Sequence, residues 1–501
     1  MKKFLAVLLA AAMLLGCVSV ASAGAADNSI TICNSSRIPD MNPVNWYIST
    51  QSAVFDYVYS TLIKVVVDDD KNVTCRGDLA TSWETENDGT VWVFHLNENA
   101  VFTDGTPVTA DMVKRCFTYH QTNPWTMSYV SMIESIDVRD EHTVAFNLTG
   151  AWASAPYCWY MVAIFNPDLY DADPTGYASN PVGSGPYELT AVDEATATYT
   201  LTLKDNWWGD LKPSIKTVNI KTISDVSTMV IALQTGEIDY IGSIQGINIA
   251  LVAYDSSLVM KENTSLVGYQ LMMSANCEAL QNDAVRQAIA YAIDYDAIGN
   301  VVSGGYLASK TSSVRFATLD AEIPESVQAM AYSYDPEKAK QLLADAGIET
   351  PYTIGTIIGG NSNGAAEMVQ QYLSAVGLVC EIEQIETNTM VQRFMSGDFA
   401  LGITTYPGYV SAAETIMCCY GSGQTYNFYQ YKNARVDELA AEMMATQDSA
   451  VYAADLEEAL TIIVKDAPTV GLGISASYSV GNKALTFTPA WSGLDLYLAH
   501  W

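Results

Sequence analysis

The spacing of hydrophobic and polar positions along this chain changes period several times, and each change predicts a different kind of element. Ile30-Thr31-Ile32 alternates like a first strand. From Asp68 to about Thr190 the chain reads as short strands, among them Val91-Trp92-Val93-Phe94-His95-Leu96 and Thr143-Val144-Ala145-Phe146-Asn147-Leu148. One helix intervenes, from Ala110 to about Tyr119, with Thr109 as its N-cap. Beyond Pro186, Val218 and Ile220 mark a strand. Val226, Met229, Val230 and Leu233 then recur at helical spacing, closed by Gly236.

The next third alternates strand and helix more plainly. Val285, Ala288, Ile289, Ala292 and Ile293 form one apolar helical stripe, and Asp335-Pro336 opens another helix that ends at Gly347. Thr353 to Ile358 is strand-like, Val369, Tyr372, Leu373 and Val376 make a stripe ending at Gly377, and Leu378, Cys380 and Ile382 alternate. Phe399 to Thr404 is a further short apolar run. This succession predicts an α/β layer on a mainly parallel sheet. The pattern as a whole predicts two α/β lobes with a β-rich inserted domain.

Composition narrows the function. The 501 residues are 49% apolar and carry a net charge of −32, a globular composition. Nucleic acid is excluded as a partner, because phosphate binding needs clustered Lys and Arg. The chain starts Met1-Lys2-Lys3 and is then apolar without break from Phe4 to Leu15, which is a secretory signal, too short for a stable span. Two cleavage readings stand open. Leu14-Leu15-Gly16-Cys17 resembles a lipobox, with Cys17 acylated as the mature N-terminus; Ala21-Ser22-Ala23 is an ordinary signal-peptidase site. The first is preferred, since it leaves a small-residue tether before the fold. The expected location is the cell surface or periplasm, with the membrane touched only through a lipid.

Candidate chemistry is sparse. The four histidines, His95, His120, His142 and His500, form no i, i+4 pair, and His95 is expected on a strand face. Asp68, Asp70 and Asn72 begin like an EF-hand loop, but Val73 and Leu79 stand where Gly and Glu are required. No C-x-x-C occurs among the cysteines, and both free thiols and disulfides are open to an exported chain. Gly359 to Gly364 is a glycine-rich loop that either meets an anion or simply joins strand to helix. The absence of nucleotide-binding and hydrolase motifs favours binding over catalysis.

Residues 79 to 120 carry Leu79-Ala80, Trp83-Glu84, Asp88-Gly89-Thr90, Phe94, Phe102, Asp104-Gly105, Pro107-Val108 and Thr109-Ala110-Asp111. This stretch resembles family 5 extracellular solute-binding proteins, the oligopeptide, dipeptide and nickel receptors of ABC importers. Later stretches are similar as well: Pro181 to Tyr187, Asn206-Trp207-Trp208-Gly209, Leu233 to Asp239, Val285 to Asp294, Tyr334-Asp335-Pro336 and Asp466-Ala467-Pro468.

The resemblance implies a two-lobed periplasmic-binding-protein-like fold (type II, Venus flytrap) with an extra β-rich inserted domain. It divides the chain into a leader and tether (1–23), the first part of lobe 1 (27–67), the insert (68–190), lobe 1 continued (191–284), lobe 2 (285–478) and a C-terminal return to lobe 1 (479–501). It implies a monomeric receptor, not an enzyme and without a cofactor, that closes on a solute and delivers it to the transmembrane subunits of a permease.

A peptide is the expected solute. An oligosaccharide or nickel chelate, or from another class a secreted hydrolase, are the alternatives. Dipeptide receptors of the family hold the peptide ammonium with an aspartate, and alignment puts Tyr409 there, so the anchor is missing unless Glu414 replaces it. The resemblance places Asn42, Trp46 and Tyr47 on the rim of lobe 1, Trp125 and Trp159 on the inserted side, and Tyr406, Tyr409, Tyr426 and Asn427 on lobe 2.

Overall fold

The computed structural model describes residues 27–38, 40–46, 49–67, 73–123, 126–152, 155–263, 267–306, 323–359, 363–405, 411–424, 426–446, 448–490 and 493–501. The expected leader with Cys17, and the EF-hand-like Asp68, Asp70 and Asn72, lie outside these residues.

The first strand, Ser29–Asn34, forms the middle of a seven-stranded sheet, parallel to Thr217–Thr222 on one side and Tyr240–Gln245 on the other. All the remaining ladders of that sheet are antiparallel. A five-stranded sheet is built around Tyr352–Ile358, which runs parallel to Leu378–Glu383 and Leu401–Thr405, while Val267–Met273 lies antiparallel to Leu401–Thr405 and Thr469–Ser475. Both sheets are therefore mixed; the expected parallel order holds among Tyr352–Ile358, Leu378–Glu383 and Leu401–Thr405 and fails where Val267–Met273 and Thr469–Ser475 join them. In the seven-stranded sheet a tight return contributes: Tyr187–Asp193 turns straight back into Thr198–Leu203, and so short a connection closes only an antiparallel pair.

Local signals placed the helices well. Thr109 Oγ1 accepts from Met112 N at the start of Ala110–Thr122, and Asp335 caps Pro336–Asp345 through Lys338 N. Gly236 ends Val226–Thr235 in the left-handed region (φ 75°), where a side chain would clash with its own backbone.

A four-stranded antiparallel sheet, in the order Ala80–Glu86, Val91–Leu96, Thr143–Leu148, Ile133–Asp140, makes a separate layer with the helix Ala110–Thr122 packed on it. Its core is aromatic: Phe117 meets Phe146 at 4.6 Å, and Trp159 meets Phe146 at 4.7 Å and Phe117 at 5.4 Å. His95 lies on the outer strand face against Glu84 across the ladder (3.0 Å). The insert is expected over 68–190, and the strand Tyr187–Asp193 at the end of that range is the edge of the seven-stranded sheet.

The chain passes between the two large sheets twice. The strand Leu258–Glu262 belongs to the seven-stranded sheet and Val267–Met273 to the five-stranded one; Thr469–Ser475 and Ser477–Asn482 make the return crossing over Ala476 alone. The crossings are bonded to each other. Asn263 N donates to Ser477 O (2.8 Å), Asn263 Nδ2 to Ser477 Oγ (2.9 Å), and Ser479 Oγ to Asn263 Oδ1 (2.7 Å). The helical stripe at 285 suggests where lobe 2 begins; the strand Val267–Met273 before it already lies in the second sheet. The last residues return to the first sheet, with Trp501 Nε1 donating to Ser29 O (2.7 Å).

Two glycines of the Pro181–Tyr187 stretch let backbones touch. A Cβ on Gly183 would sit 1.9 Å from Val58 O, and one on Gly185 2.4 Å from Tyr57 O, both backbone atoms that cannot turn aside. Gly105, by contrast, has φ +86° and open space around its missing Cβ. Gly183→Ala should therefore destabilise by about 3 kcal/mol or more through overpacking, and Gly105→Ala by only about 1 kcal/mol through its left-handed backbone. Denaturant midpoints of the two variants measured side by side check this; equal losses would mean that contact with Val58 does not set the cost.

Candidate functional site

One buried carboxylate organises the surface where the second lobe meets the insert. Glu414 lies in the first turn of the helix Ala412–Tyr420, whose N-cap Ser411 accepts from Glu414 N through Oγ (3.0 Å). A Ser followed three residues later by Glu is a helix-start pattern, and the positive end of the helix dipole favours the carboxylate. Here the side chain does not face water: Glu414 is only 2% exposed. Its Oε1 accepts from Cys158 Sγ at 2.9 Å, a contact 256 residues apart in the chain.

Cys158 ends the short helix Ala155–Cys158. Burial, reinforced by the facing Glu414 carboxylate and by Cys418, pushes its thiol well above the usual value. Cys418 stands one turn after Glu414, so the two share a helix face. On the other half, Cys75 in the strand Val73–Gly77 is pushed up to about 12, chiefly by burial, with a Tyr157 hydrogen bond opposing and the Glu414 charge adding. Cys75 pairs with Val65 across the hairpin while its neighbour Arg76 pairs with Lys64. Alternation therefore turns Arg76 to the opposite face, where it lies over the Tyr497 ring (5.3 Å) and lines a cavity of about 160 Å³ with Lys64 and Asp56.

Tyrosines complete the surface. The Tyr129 phenol of the insert is raised well above its ordinary range by burial first, then by Tyr426, Tyr160, Cys158 and Cys418. That brings Tyr426 and Cys418 of the second lobe within electrostatic reach of Tyr129, and Cys418 within reach of Cys158. Tyr426 also packs edge-on to Phe428 (5.9 Å).

The residues expected in the cleft fall into three groups. Tyr426 is at the surface just described. Tyr47, Trp125, Tyr406 and Tyr409 lie outside the described residues. The remaining four are scaffold in this conformation. Asn42 caps Pro43–Asn45, accepting from Val44 N (3.0 Å) and donating to Tyr170 Oη (3.2 Å). Trp46 is fully buried, edge-on to Phe55, with its indole N–H on Ser52 Oγ (3.0 Å). Trp159 is fully buried in the insert's aromatic core, and its indole N–H has no partner among the described residues. Asn427 is 2% exposed and clamps its own loop, donating to Gly421 O (2.9 Å) and Tyr431 O (2.7 Å) and accepting from Tyr431 N (2.9 Å).

Sequence reasoning named Glu414 only as a substitute anchor and passed over Tyr129, Tyr157, Cys158, Cys75 and Cys418. The one sequence signal was the shared helix face of Glu414 and Cys418. All eight described cysteines are free thiols.

Raised thiols make a definite pH prediction. A group whose folded pKa lies above its unfolded value contributes stability that is whole below the unfolded pKa and lost as pH rises. With unfolded thiols ionising near pH 9 and Cys158 and Cys75 held well above that, the thermal midpoint should fall as pH climbs from 8 to 10.5. Cys158→Ser should fall less steeply, because a hydroxyl does not titrate there. Identical slopes in the two proteins would show that Cys158 is not part of the effect.

The family model for bacterial extracellular solute-binding proteins, family 5 (middle region), matches residues 74–428. Among curated proteins, the probable D,D-dipeptide-binding periplasmic protein DdpA of Escherichia coli is 27% identical over 432 residues, covering 83% of this chain and 82% of its own. The glutathione-binding protein GsiB of Shigella dysenteriae is 23% identical over 494 residues, 93% of each chain. Two solved structures share the fold: AgaA of A. tumefaciens in complex with agropinic acid (TM-score 0.81, 21% identity, 94% of this chain and 98% of that one) and DppA of Helicobacter pylori in complex with the peptide STSA (TM-score 0.78, 21% identity, the same coverage). No helix among the described residues is long and apolar enough to cross a membrane. With most of its length matched by the family model, and with two sheet-centred lobes and an insert in place, the chain belongs to the family 5 extracellular solute-binding proteins, receptors of ABC importers.

Proposed function

We propose that the solute is a small peptide, or a compound that presents an ammonium group as a peptide does, and that Glu414 receives that ammonium. The observation that carries this reading is the Glu414–Cys158 contact, a carboxylate removed from water at the meeting of lobe and insert. An ammonium is a charged donor, and a carboxylate held out of water bonds such a donor about twice as strongly as a neutral one. The names of two relatives, a probable D,D-dipeptide-binding protein and a glutathione-binding protein, fit an amine-bearing ligand.

Around that anchor, Tyr129, Tyr157, Tyr160 and Tyr426 supply flat apolar faces with polar tips, the surfaces that hold side chains without demanding one sequence. Tyr406 and Tyr409, at the end of the strand Leu401–Thr405, are proposed to complete this wall, with Tyr47 and Trp125 opposite. Closing of the lobes about Asn263 and Ala476 then shifts the population to the form that docks on the permease. The receptor itself performs no covalent step, acts as a monomer, and is held to the membrane through a lipid on Cys17.

Mass spectrometry of the solute that co-purifies identifies the ligand, and calorimetry with that solute tests the anchor. Glu414→Gln keeps shape and removes charge. It should weaken binding about 10- to 100-fold, the value of one hydrogen bond to a charged group of about 1.5–3 kcal/mol. Binding of an N-acetylated form should be weak to the wild type and unchanged by Glu414→Gln. Tyr406→Ala should cost about 1 kcal/mol of affinity from lost stacking and leave the unfolding midpoint in place. A co-purifying solute without an amine, or full affinity in Glu414→Gln, would remove Glu414 from the site.

A further inference from the structure

A second pocket lies in the connection from the strand Thr198–Leu203 to the strand Thr217–Thr222. In a chain with 24 Lys and Arg against 56 Asp and Glu, three lysines, Lys204, Lys212 and Lys216, line this one cleft of about 530 Å³ together with Trp207 and a single acid, Asp205. That volume lies within the range of small-molecule sites.

Lys204 is the unusual member. It is only 9% exposed. The Trp207 ring lies beside it, its centre 5.7 Å from Lys204 Nζ. None of the three lysines forms an ion pair with a described residue, and the whole loop is described. The acids nearby do not neutralise it. Asp205 and Asp210 of the same loop are exposed, and Glu188 on the neighbouring strand acts on Lys204 only from beyond ion-pair distance. Burial accordingly pulls the Lys204 ammonium down to about 8, the behaviour of a charge without a counter-ion. A buried charge of this kind is costly unless something of opposite sign meets it.

The loop is also built to hold its shape without a ligand. Trp207 Nε1 donates to Leu211 O (2.8 Å) and Lys212 Nζ to Trp207 O (2.7 Å). A Cβ on Gly209 would meet the Trp207 ring at 2.3 Å, so glycine there lets the indole lie flat on the backbone. Leu203 N donates to Lys216 O (2.8 Å), which fixes the backbone of Lys216 next to that of Lys204. A site rigid before binding loses little entropy on binding.

We propose that this pocket binds a small dissolved oxyanion of the phosphate, sulfate or carboxylate kind, with Lys204 as the buried counter-charge and Lys212 and Lys216 at the mouth. None of these residues takes part in the proposed solute cleft, so the site stands or falls independently of it.

The test uses the full mature chain and inorganic phosphate as probe. Thermal unfolding at pH 7 in phosphate is compared with chloride at equal ionic strength, and phosphate affinity is measured by calorimetry. The wild-type midpoint should rise with phosphate and saturate, as for a ligand that binds only the folded state. Lys204→Met keeps the aliphatic stem, and Lys216→Gln alters an exposed side chain; each should lose at least tenfold in phosphate affinity and lose the saturable rise. Affinity for the co-purifying solute should be unchanged in both. Sulfate and acetate in parallel distinguish a tetrahedral from a carboxylate preference. The proposal is overturned if phosphate, sulfate and acetate all fail to bind the wild type, or if both variants keep the wild-type affinity.

Discussion

The fold depends on two crossings of the chain that lie side by side. The Glu262–Val267 passage and the single-residue passage at Ala476 are the links through which the seven- and five-stranded sheets are covalently continuous. Asn263, Ser477 and Ser479 tie the two passages together with hydrogen bonds of 2.7–2.9 Å. Two links tied to each other at Asn263 favour rotation about one line over shear. A receptor that must open to admit a solute and close to retain it needs that restriction, because each lobe contributes only part of the contact surface. The mixed order of the five-stranded sheet fits this arrangement. The strands Val267–Met273 and Thr469–Ser475 pair antiparallel where they enter the second lobe, leaving parallel order to the strands beyond.

Much of the architecture was legible because it rests on local chemistry. Thr109, Asp335, Gly236 and Gly377 punctuate helices through caps and left-handed turns that any sequence reading can find. Domain limits were harder. Val267–Met273 lies in the second sheet, yet its pattern of Tyr269, Gln270, Leu271 and Met272 gives no hint of which sheet it joins; pairing with Leu401–Thr405, some 130 residues on, decides that. Parallel order was overestimated for the same reason, since strand direction is a property of connections and partners.

The site was less legible than the fold. A large aromatic in a binding protein serves a cleft or a core equally well on composition alone. Trp46 and Trp159 went to the core because Phe55 in one case and Phe94, Phe117 and Phe146 in the other enclose them. Asn427 suits a ligand amide in principle, but it is consumed by three bonds to its own loop. Glu414 was masked by an opposite ambiguity. Its place three residues after Ser411 is accounted for by helix capping, so nothing local marks its carboxylate as buried. Its burial and its contact with Cys158, brought from far along the chain, reveal it.

Charge ties the two pockets together. A net charge of −32 draws cationic groups toward the protein and repels anions, but salt screens that field beyond about 8 Å at physiological ionic strength. Selection must therefore be made at short range, by groups held out of water, where screening is weak. Glu414 where the second lobe meets the insert and Lys204 in its loop are two such groups of opposite sign, each buried. The first works with the overall field and the second against it. Lys212 and Lys216, both exposed, line the same cleft as the buried Lys204. The same reasoning explains why the basic cluster is confined to a single loop: spread over so acidic a surface, three lysines would only pair with their neighbours, as Lys221 does with Glu237 and Lys340 with Glu337.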